Sequence, residues 1–439
     1  MPLFARASIH SIVLGAGNLE VEFIVPLTTN DPTVRPSQPS VSSYKPLLKY
    51  FCVRFCVAVT LTVMLLAVVE LYAYRRYLHF GSNDALEPAV KLDLAAGGSA
   101  EDQEYWAEFE KANKVVYHQY VLWRRASYQG QLLSIDQDGV RRTLNTQCDA
   151  KALTIWTFGD SVMWGAGTPD AGTIPSFLAL DYEKAGKPAC IVNYAEKGWS
   201  NSQELIGLIE QLKHAARKPD IVLFYDGGTE AFAAYQSGRA DVHSNFNMFQ
   251  DFLANWGTKQ RASFSYLEET NTYRMLDRIS RRTPFHRNQG NSRTAPETDT
   301  LSSEVVDNYA QNMQIVNLLG KLYDFRPVFA WYPNLAVGHK QLTPYEQQVM
   351  RFEDEAFPDL RLMYEAVYQK SAGIKQANFY NLENAVDDQS DSLYVGISHM
   401  KAEGNRILAD RLFKILEASG SASATANTVH SGAPKNSGS

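Results

Sequence analysis

The chain has 439 residues, 45% of them hydrophobic and 21% charged, a globular composition that excludes disorder or a fibrous repeat for most of its length. Its 48 acidic residues outnumber its 42 basic ones, and the formal net charge of -6 argues against a nucleic-acid-binding protein, whose affinity comes from clustered Lys and Arg. A mean hydropathy of -0.28 excludes several membrane spans but allows one. The four cysteines are too few for a disulfide scaffold, and none has zinc-ligand spacing with a histidine, so we expect no metal.

An uncharged apolar run from Phe55 to Val69 is the first element along the chain. Apolar and tyrosine residues on both sides extend it to residues 50–74, which reaches the roughly 20 residues that a helix needs to cross a bilayer. No small-residue cleavage site follows, so a cleaved signal peptide is disfavoured. We predict a single retained transmembrane anchor at residues 50–74, the alternative being a buried core helix.

The basic residues around this segment bear on its orientation. Lys45, Lys49 and Arg54 stand on its N-terminal side and Arg75 and Arg76 on its C-terminal side, so the two counts nearly balance. We favour a cytoplasmic N-terminus, which places the rest of the chain outside the cytoplasm, on the periplasmic side.

Composition divides the remainder of the chain. Residues 1–47 include a Pro/Ser-rich stretch and are predicted to be a flexible N-terminal segment, and residues 75–114 are predicted to be a linker or stalk. Residues 420–439 carry almost no apolar bulk and cannot offset the entropy of ordering, which predicts a disordered tail. The folded domain then covers residues 115–419, with an insertion at about 239–300.

Short apolar runs alternate with segments of helical periodicity in this domain. Strands are predicted at 153–158, 190–194, 220–225, 327–331 and 377–380, and helices around 205–216, 306–323 and 402–418, the last one ending at Gly420. This alternation predicts an α/β fold, a doubly wound, flavodoxin-like parallel sheet of about five strands with helices on both faces, preceded by the transmembrane helix. In such sheets the functional residues lie in loops at the carboxyl ends of the strands.

A Gly-Asp-Ser turn at residues 159–161 follows the first predicted strand. A serine in that position presents its hydroxyl over the sheet edge, and its amide and neighbouring loop amides are free to bind an oxyanion. The turn differs from the Gly-x-Ser-x-Gly nucleophile elbow, because position 163 is Met. Taken alone, Gly-Asp-Ser is also a common turn or helix cap.

Three further blocks stand at the other strand ends, at residues 196–198, 225–230 and 396–399. The order serine, glycine, Gly-x-x-acid and histidine, each at its own strand end, resembles the SGNH (GDSL-type) hydrolase superfamily, and more narrowly its bacterial branch with a single N-terminal anchor. Residues 120–143 resemble the stretch that leads into the catalytic serine in that branch. The resemblance covers about residues 115–415.

This resemblance implies a role for four residues. Ser161 would be the nucleophile and His399 the general base. The amides of Ser161 and Gly198 would form the oxyanion hole, and the hydroxyl of Thr229, in place of the family's Asn, would complete it.

The sequence departs from the family pattern next to the histidine. The acid that orients the imidazole normally stands three residues before it, and that position is Gly396 here. We favour orientation of His399 by a backbone carbonyl or a water molecule. The alternative is an upstream aspartate, for which Asp391 is the candidate.

Taken together, these residues predict a membrane-anchored serine esterase or acyl-transfer enzyme that acts on a small acyl ester of an extracytoplasmic carbohydrate or lipid. The mechanism requires no cofactor. The alternative is a catalytically degenerate SGNH-like domain that binds a glycan or a biosynthetic partner, which the departures at Thr229 and Gly396 favour.

Two further features have alternative interpretations. Cys148 precedes the first predicted strand and Cys190 opens the second, so a disulfide can join them outside the cytoplasm; otherwise both are buried free thiols. Four aromatic residues near strand ends either stack on a sugar ring or belong to the core, and these are Trp164, Trp199, Tyr225 and Trp331.

Overall fold

The structure, a computed structural model, describes residues 45–84, 100–145, 148–254, 270–273 and 293–430. Residues 1–44, where we predicted a flexible segment, most of the predicted insertion, and residues 431–439 of the predicted tail lie outside the described residues. The chain separates into two compact units, Met1–Val69 and Glu70–Ser439.

A single long helix, α1 (Lys45–Asp84), contains the predicted anchor. Within it, Cys52–Arg75 is long and apolar enough to cross a membrane, and none of its most apolar stretch is buried. Leu65 and Val68, for example, are each 64% exposed. This exposure argues against a buried core helix.

The second unit is built on a five-stranded parallel sheet, as the sequence predicted. The strand order is β6-β5-β7-β8-β9, which corresponds to the doubly wound order 2-1-3-4-5. Two short antiparallel pairs, β1 with β2 and β3 with β4, precede this sheet along the chain. The strands are β1 (Val115–His118), β2 (Leu122–Arg125), β3 (Tyr128–Gln129), β4 (Ser134–Ile135), β5 (Leu153–Gly159), β6 (Ala189–Asn193), β7 (Ile221–Asp226), β8 (Arg326–Trp331) and β9 (Phe379–Asn381).

Several further helices belong to the described part of this unit. They are α2 (Ala100–Ala112), α3 (Ser161–Trp164), α4 (Ile174–Lys184), α5 (Asn201–His214), α6 (Gly228–Ser237), α7 (Phe246–Ala254), α8 (Ala295–Tyr323), α9 (Pro344–Ala356), α10 (Leu360–Ser371) and α11 (Ala402–His430). Successive side chains of each strand point to opposite faces, so each face of the sheet has its own apolar cluster. One cluster includes Ile155 and Leu223 and packs against α2, α4, α9 and α11; the other includes Trp156 and Phe224 and packs against α5, α6, α8 and α10.

Two boundaries differ from the predicted ones. Helix α2 lies in the predicted linker, yet Tyr105, Trp106 and Phe109 are buried in the core, so the folded part begins near residue 100. Helix α11 continues past Gly420 to His430, so our predicted stop was wrong. A single glycine costs a helix only about 1 kcal/mol relative to alanine, and the following residues contain several alanines and no proline.

A disulfide joins Cys148 and Cys190, with their Cα atoms 4.7 Å apart, so of the two alternatives that the sequence left open the structure has the disulfide and not two free thiols. Cys190 belongs to β6 and Cys148 stands before β5, and these two strands are neighbours in the sheet. The neighbouring order of the strands therefore brings two cysteines that are 42 residues apart along the chain into bonding range.

Candidate active site

The nucleophile candidate stands on the turn that connects β5 to α3. A Cβ at Gly159 would lie only 2.6 Å from the carbonyl oxygen of Tyr225, so only glycine fits where the strand ends. Asp160 then caps α3, its Oδ1 accepting a hydrogen bond from the Val162 amide at 2.8 Å. Ser161 is the first residue of the helix, and its side chain is half-buried at the carboxyl end of the sheet.

Ser161 and His399 meet although 238 residues separate them along the chain. Nε2 of His399 lies 2.8 Å from Oγ of Ser161. The histidine belongs to a short loop closed by a bridge between Tyr394 and Met400, and the Val395 amide donates to the His399 carbonyl at 2.9 Å. This arrangement holds a base against a serine hydroxyl at hydrogen-bonding distance, which is the geometry needed to activate the serine.

The other nitrogen of the imidazole faces Gly396. A Cβ built on Gly396 would lie 3.1 Å from Nδ1 of His399, so position 396 adjoins the nitrogen that an orienting carboxylate would contact. Asp391 is exposed, and within the described part of the chain no hydrogen bond joins it to His399. The structure thus brings Ser161 and His399 together and does not bring Asp391 to them.

Replacing Gly396 with aspartate is expected to raise kcat on p-nitrophenyl acetate by roughly tenfold, because a carboxylate at this position would hold the imidazole in the productive tautomer. Gly396→Ala is the control, since it adds the Cβ beside Nδ1 without the charge and should give no increase. Initial rates of both variants against the wild type measure the effect. An equal rate for the wild type and both variants would show that position 396 does not govern the histidine.

The predicted oxyanion glycine lies in the loop after β6. This loop is tied to the nucleophile strand by the amide of Glu196, which donates to the carbonyl of Gly159 at 3.1 Å. Gly198 has a φ of 77°, a left-handed conformation that favours glycine, and it is half-buried. The buried carboxylate of Glu196 accepts hydrogen bonds from the Arg125 and Lys197 amides, which fixes the loop.

Thr229 has a different partner from the one that the sequence suggested. Its Oγ1 donates to Oδ2 of Asp160 at 2.6 Å, and the hydroxyl of Tyr332 donates to the same oxygen. Since a threonine hydroxyl carries one proton, Thr229 cannot donate to an oxyanion while it donates to Asp160. The amides of Ser161 and Gly198 therefore remain the candidate donors to an oxyanion in this structure. Thr229 could join them only after its hydroxyl turns away from Asp160.

A buried arginine supports the loop that follows Ser161. Arg141 is 1% exposed, and its guanidinium donates to the carboxylate of Asp170 and to the carbonyls of Trp164, Gly165 and Thr168. These carbonyls belong to the end of α3 and the segment after it. The sequence placed Arg141 in a stretch resembling the family, but a charged residue between Val140 and Arg142 carries no signal of burial.

The four aromatic residues considered for sugar stacking belong to the core. Trp164 is 1% exposed, and Trp199, Tyr225 and Trp331 are 0% exposed. A sugar ring cannot reach rings that are fully covered by protein, so the stacking interpretation was wrong for these residues. Their positions at strand ends serve packing.

Two buried carboxyl groups that sequence reasoning missed stand at the end of β7. Glu204, on α5, and Asp226, the last residue of β7, are both 0% exposed and share a hydrogen bond, and within the described part of the chain no N–H or hydroxyl group donates to either Glu204 oxygen or to Oδ1 of Asp226. Burial raises the pKa of Glu204 well above its usual range, and the negative charge of Asp226 is the second cause of this rise. Burial likewise raises the pKa of Asp226, and Tyr309 donates to its Oδ2 at 2.8 Å.

These raised pKa values predict that the protein loses stability as the pH increases. Above the ordinary carboxyl pKa the unfolded state releases protons that the folded state still holds. The free energy of unfolding is therefore unaffected below the ordinary carboxyl pKa and decreases as the pH rises towards the raised pKa values. Glu204→Gln should stabilise the protein at pH 8 by about 1–3 kcal/mol, because its amide supplies a donor to Asp226. At pH 5 it should be nearly neutral. Thermal unfolding at both values tests this, and an equal effect at the two pH values would contradict it.

No protein-family model matches the sequence, and no curated protein matches it. Among solved structures, the chain is similar to a member of the lipolytic protein G-D-S-L family from Veillonella parvula DSM 2008, at 13% identity and a TM-score of 0.33, over 60% of this chain and 97% of that one. It is also similar to an acetyl xylan esterase, AlAXEase, at 12% identity and a TM-score of 0.33, over 60% of this chain and 98% of that one. A third is the psychrotrophic esterase EstA from Pseudoalteromonas sp., at 11% identity and a TM-score of 0.29, over 60% of this chain and 97% of that one. These identities are too low to transfer an activity.

Proposed function

We propose that the protein is a serine esterase of the SGNH type, anchored in a membrane by α1, which hydrolyses or transfers a small acyl group of an extracytoplasmic carbohydrate or lipid. The observation that carries the proposal is the 2.8 Å distance between Oγ of Ser161 and Nε2 of His399. The order of the sequence blocks supports it, because the blocks follow four different strands of one parallel sheet along the chain.

In the proposed reaction, His399 accepts the proton of Ser161 as Oγ attacks the ester carbonyl. The amides of Ser161 and Gly198 hold the negative charge that develops on the carbonyl oxygen. His399 then returns the proton to the leaving alkoxide, and the acyl group remains on Oγ. Water or a sugar hydroxyl, deprotonated by His399, releases the acyl group in a second step of the same kind.

One feature supports a location outside the cytoplasm, and a second supports attachment to a membrane. The Cys148–Cys190 disulfide is of the kind that persists in oxidising compartments. Helix α1 is long and apolar enough to hold the domain at a membrane. A protease applied to intact cells, or to spheroplasts if an outer membrane is present, would digest the domain if it faces outward and leave it intact if it faces the cytoplasm.

A fluorophosphonate probe tests the proposed function directly, since it labels only a serine that a base activates. We expect labelling of the full-length protein and no labelling after Ser161→Ala. The second candidate function, a non-catalytic glycan-binding domain, is favoured by the missing carboxylate at Gly396 and by the bond from Thr229 to Asp160. Absence of labelling in a folded wild-type protein would favour that candidate.

A further inference from the structure

The hydroxyl of Tyr332 connects two segments at the carboxyl end of the sheet, the turn after β5 and the start of α6. Tyr332 follows β8 and is 1% exposed. Its oxygen accepts a hydrogen bond from the Gly228 amide at 2.8 Å, and its proton goes to Oδ2 of Asp160. Asp160 caps the nucleophile helix, and Gly228 opens α6, which carries Thr229. One phenol therefore touches both the turn that presents Ser161 and the helix that presents Thr229.

Asp160 receives more donors than it needs. Its Oδ1 accepts from the Val162 amide, while its Oδ2 accepts from both Thr229 and Tyr332. If Thr229 turns away, Tyr332 still satisfies Oδ2, and no buried carboxylate oxygen loses its last donor. Burial raises the pKa of Tyr332 well above its usual range, and the negative charge of Asp160 raises it further. The phenol therefore keeps the proton that it donates.

Thr229 is well placed to use this freedom. It is half-buried, whereas Asp160 and Tyr332 are buried, so its side chain borders the open side of the site. Its Oγ1 lies 2.6 Å from Oδ2 of Asp160, the residue that precedes Ser161. A rotation about its side-chain bond moves the hydroxyl proton without moving the helix backbone.

We propose that Tyr332 is a positioning residue that holds Asp160 in place of Thr229 when the Thr229 hydroxyl turns from Asp160 to the oxyanion. In the resting state Thr229 donates to Asp160. As negative charge develops on the carbonyl oxygen of the ester, Thr229 donates there instead, and Tyr332 alone holds Oδ2 of Asp160. The hydroxyl contributes to the transition state and not to substrate binding, so its loss affects kcat and leaves KM nearly unchanged. This inference rests on the proposed esterase function.

Tyr332→Phe should lower kcat on p-nitrophenyl acetate about tenfold with KM changed less than twofold, because Thr229 becomes the only donor to Oδ2 and is retained by Asp160. Thr229→Val should lower kcat by a similar factor in the wild type, whereas Thr229→Ser, which keeps the hydroxyl, should restore most of the rate. In the Tyr332→Phe background, Thr229→Val should cause less than a twofold further loss. This lack of additivity is the result that a general loss of stability would not produce.

Tyr309→Phe is the matched control. Tyr309 is 0% exposed and donates to a different buried carboxylate, that of Asp226, and not to Asp160. In the Tyr309→Phe background, Thr229→Val should lower kcat by the same factor as it does in the wild type. If the losses of kcat from Thr229→Val and Tyr332→Phe multiply in the double variant, while fluorophosphonate still labels Ser161, the inference is overturned and the esterase function stands. Absence of labelling would instead remove the esterase function and, with it, this role of Tyr332.

Discussion

Replacing Ser161 with alanine is expected to lower the hydrolysis of p-nitrophenyl acetate by at least about 10³-fold, because the variant has no nucleophile to form the acyl intermediate. The oxyanion amides and the imidazole remain, so the residual rate reports what they achieve alone. The fold should survive, since the lost hydroxyl is half-buried and its hydrogen bond goes to the half-buried His399. We expect the free energy of unfolding to change by less than about 0.5 kcal/mol.

Ser303→Ala serves as the control for this variant. Ser303 lies on α8, and its hydroxyl donates within that helix, to the carbonyl of Asp299. Its rate should equal that of the wild type. A Ser161→Ala protein that still hydrolyses the ester at the wild-type rate would exclude Ser161 as the nucleophile and, with it, the proposed esterase mechanism.

The sheet could be predicted because its strands are short, continuous apolar runs. Residues 221–225, Ile-Val-Leu-Phe-Tyr, are buried on both faces, and such a run is the sequence pattern of a central parallel strand. Helices α4, α9 and α10 were missed, although α9 has a readable start. Thr343 and Glu346 form a capping box around Pro344, and this pattern precedes a helix in any sequence. The hairpin of β1 and β2 was not readable, since Tyr120 and Leu122 have positive φ values that residues of these types rarely adopt.

The site was predictable to the extent that it follows from the sheet. Parallel strands end at one edge, so the segments carrying Ser161, Gly198 and His399 had to lie on the same side of the sheet. The partner of Thr229 did not follow in this way. It depends on Asp160 and Tyr332, which are 172 residues apart, and on side-chain rotamers that no spacing in the sequence encodes.

The most destabilising single substitution that we expect in the domain is Arg141→Leu, which should lower the free energy of unfolding by about 3–5 kcal/mol. The guanidinium donates to Asp170 Oδ1 at 3.0 Å and to three carbonyl groups, and it stacks 4.4 Å from the centre of the Trp164 ring. Leucine fills part of the space and satisfies none of these acceptors. Urea unfolding of the variant and the wild type measures the difference.

The pH dependence of the Arg141→Leu effect distinguishes a lost ion pair from a lost side-chain volume. Burial raises the pKa of the Asp170 carboxyl, and Arg141 is the main group that opposes this rise. Without Arg141 the carboxyl must stay protonated or remain charged and unpaired, so the destabilisation should grow as the pH rises above the ordinary carboxyl pKa. Arg142→Leu, at the exposed neighbouring position, should cost less than about 0.5 kcal/mol at every pH. A pH-independent loss in Arg141→Leu would mean that Arg141 contributes its hydrogen bonds to the three carbonyls and its packing against Trp164, and not its ion pair with Asp170.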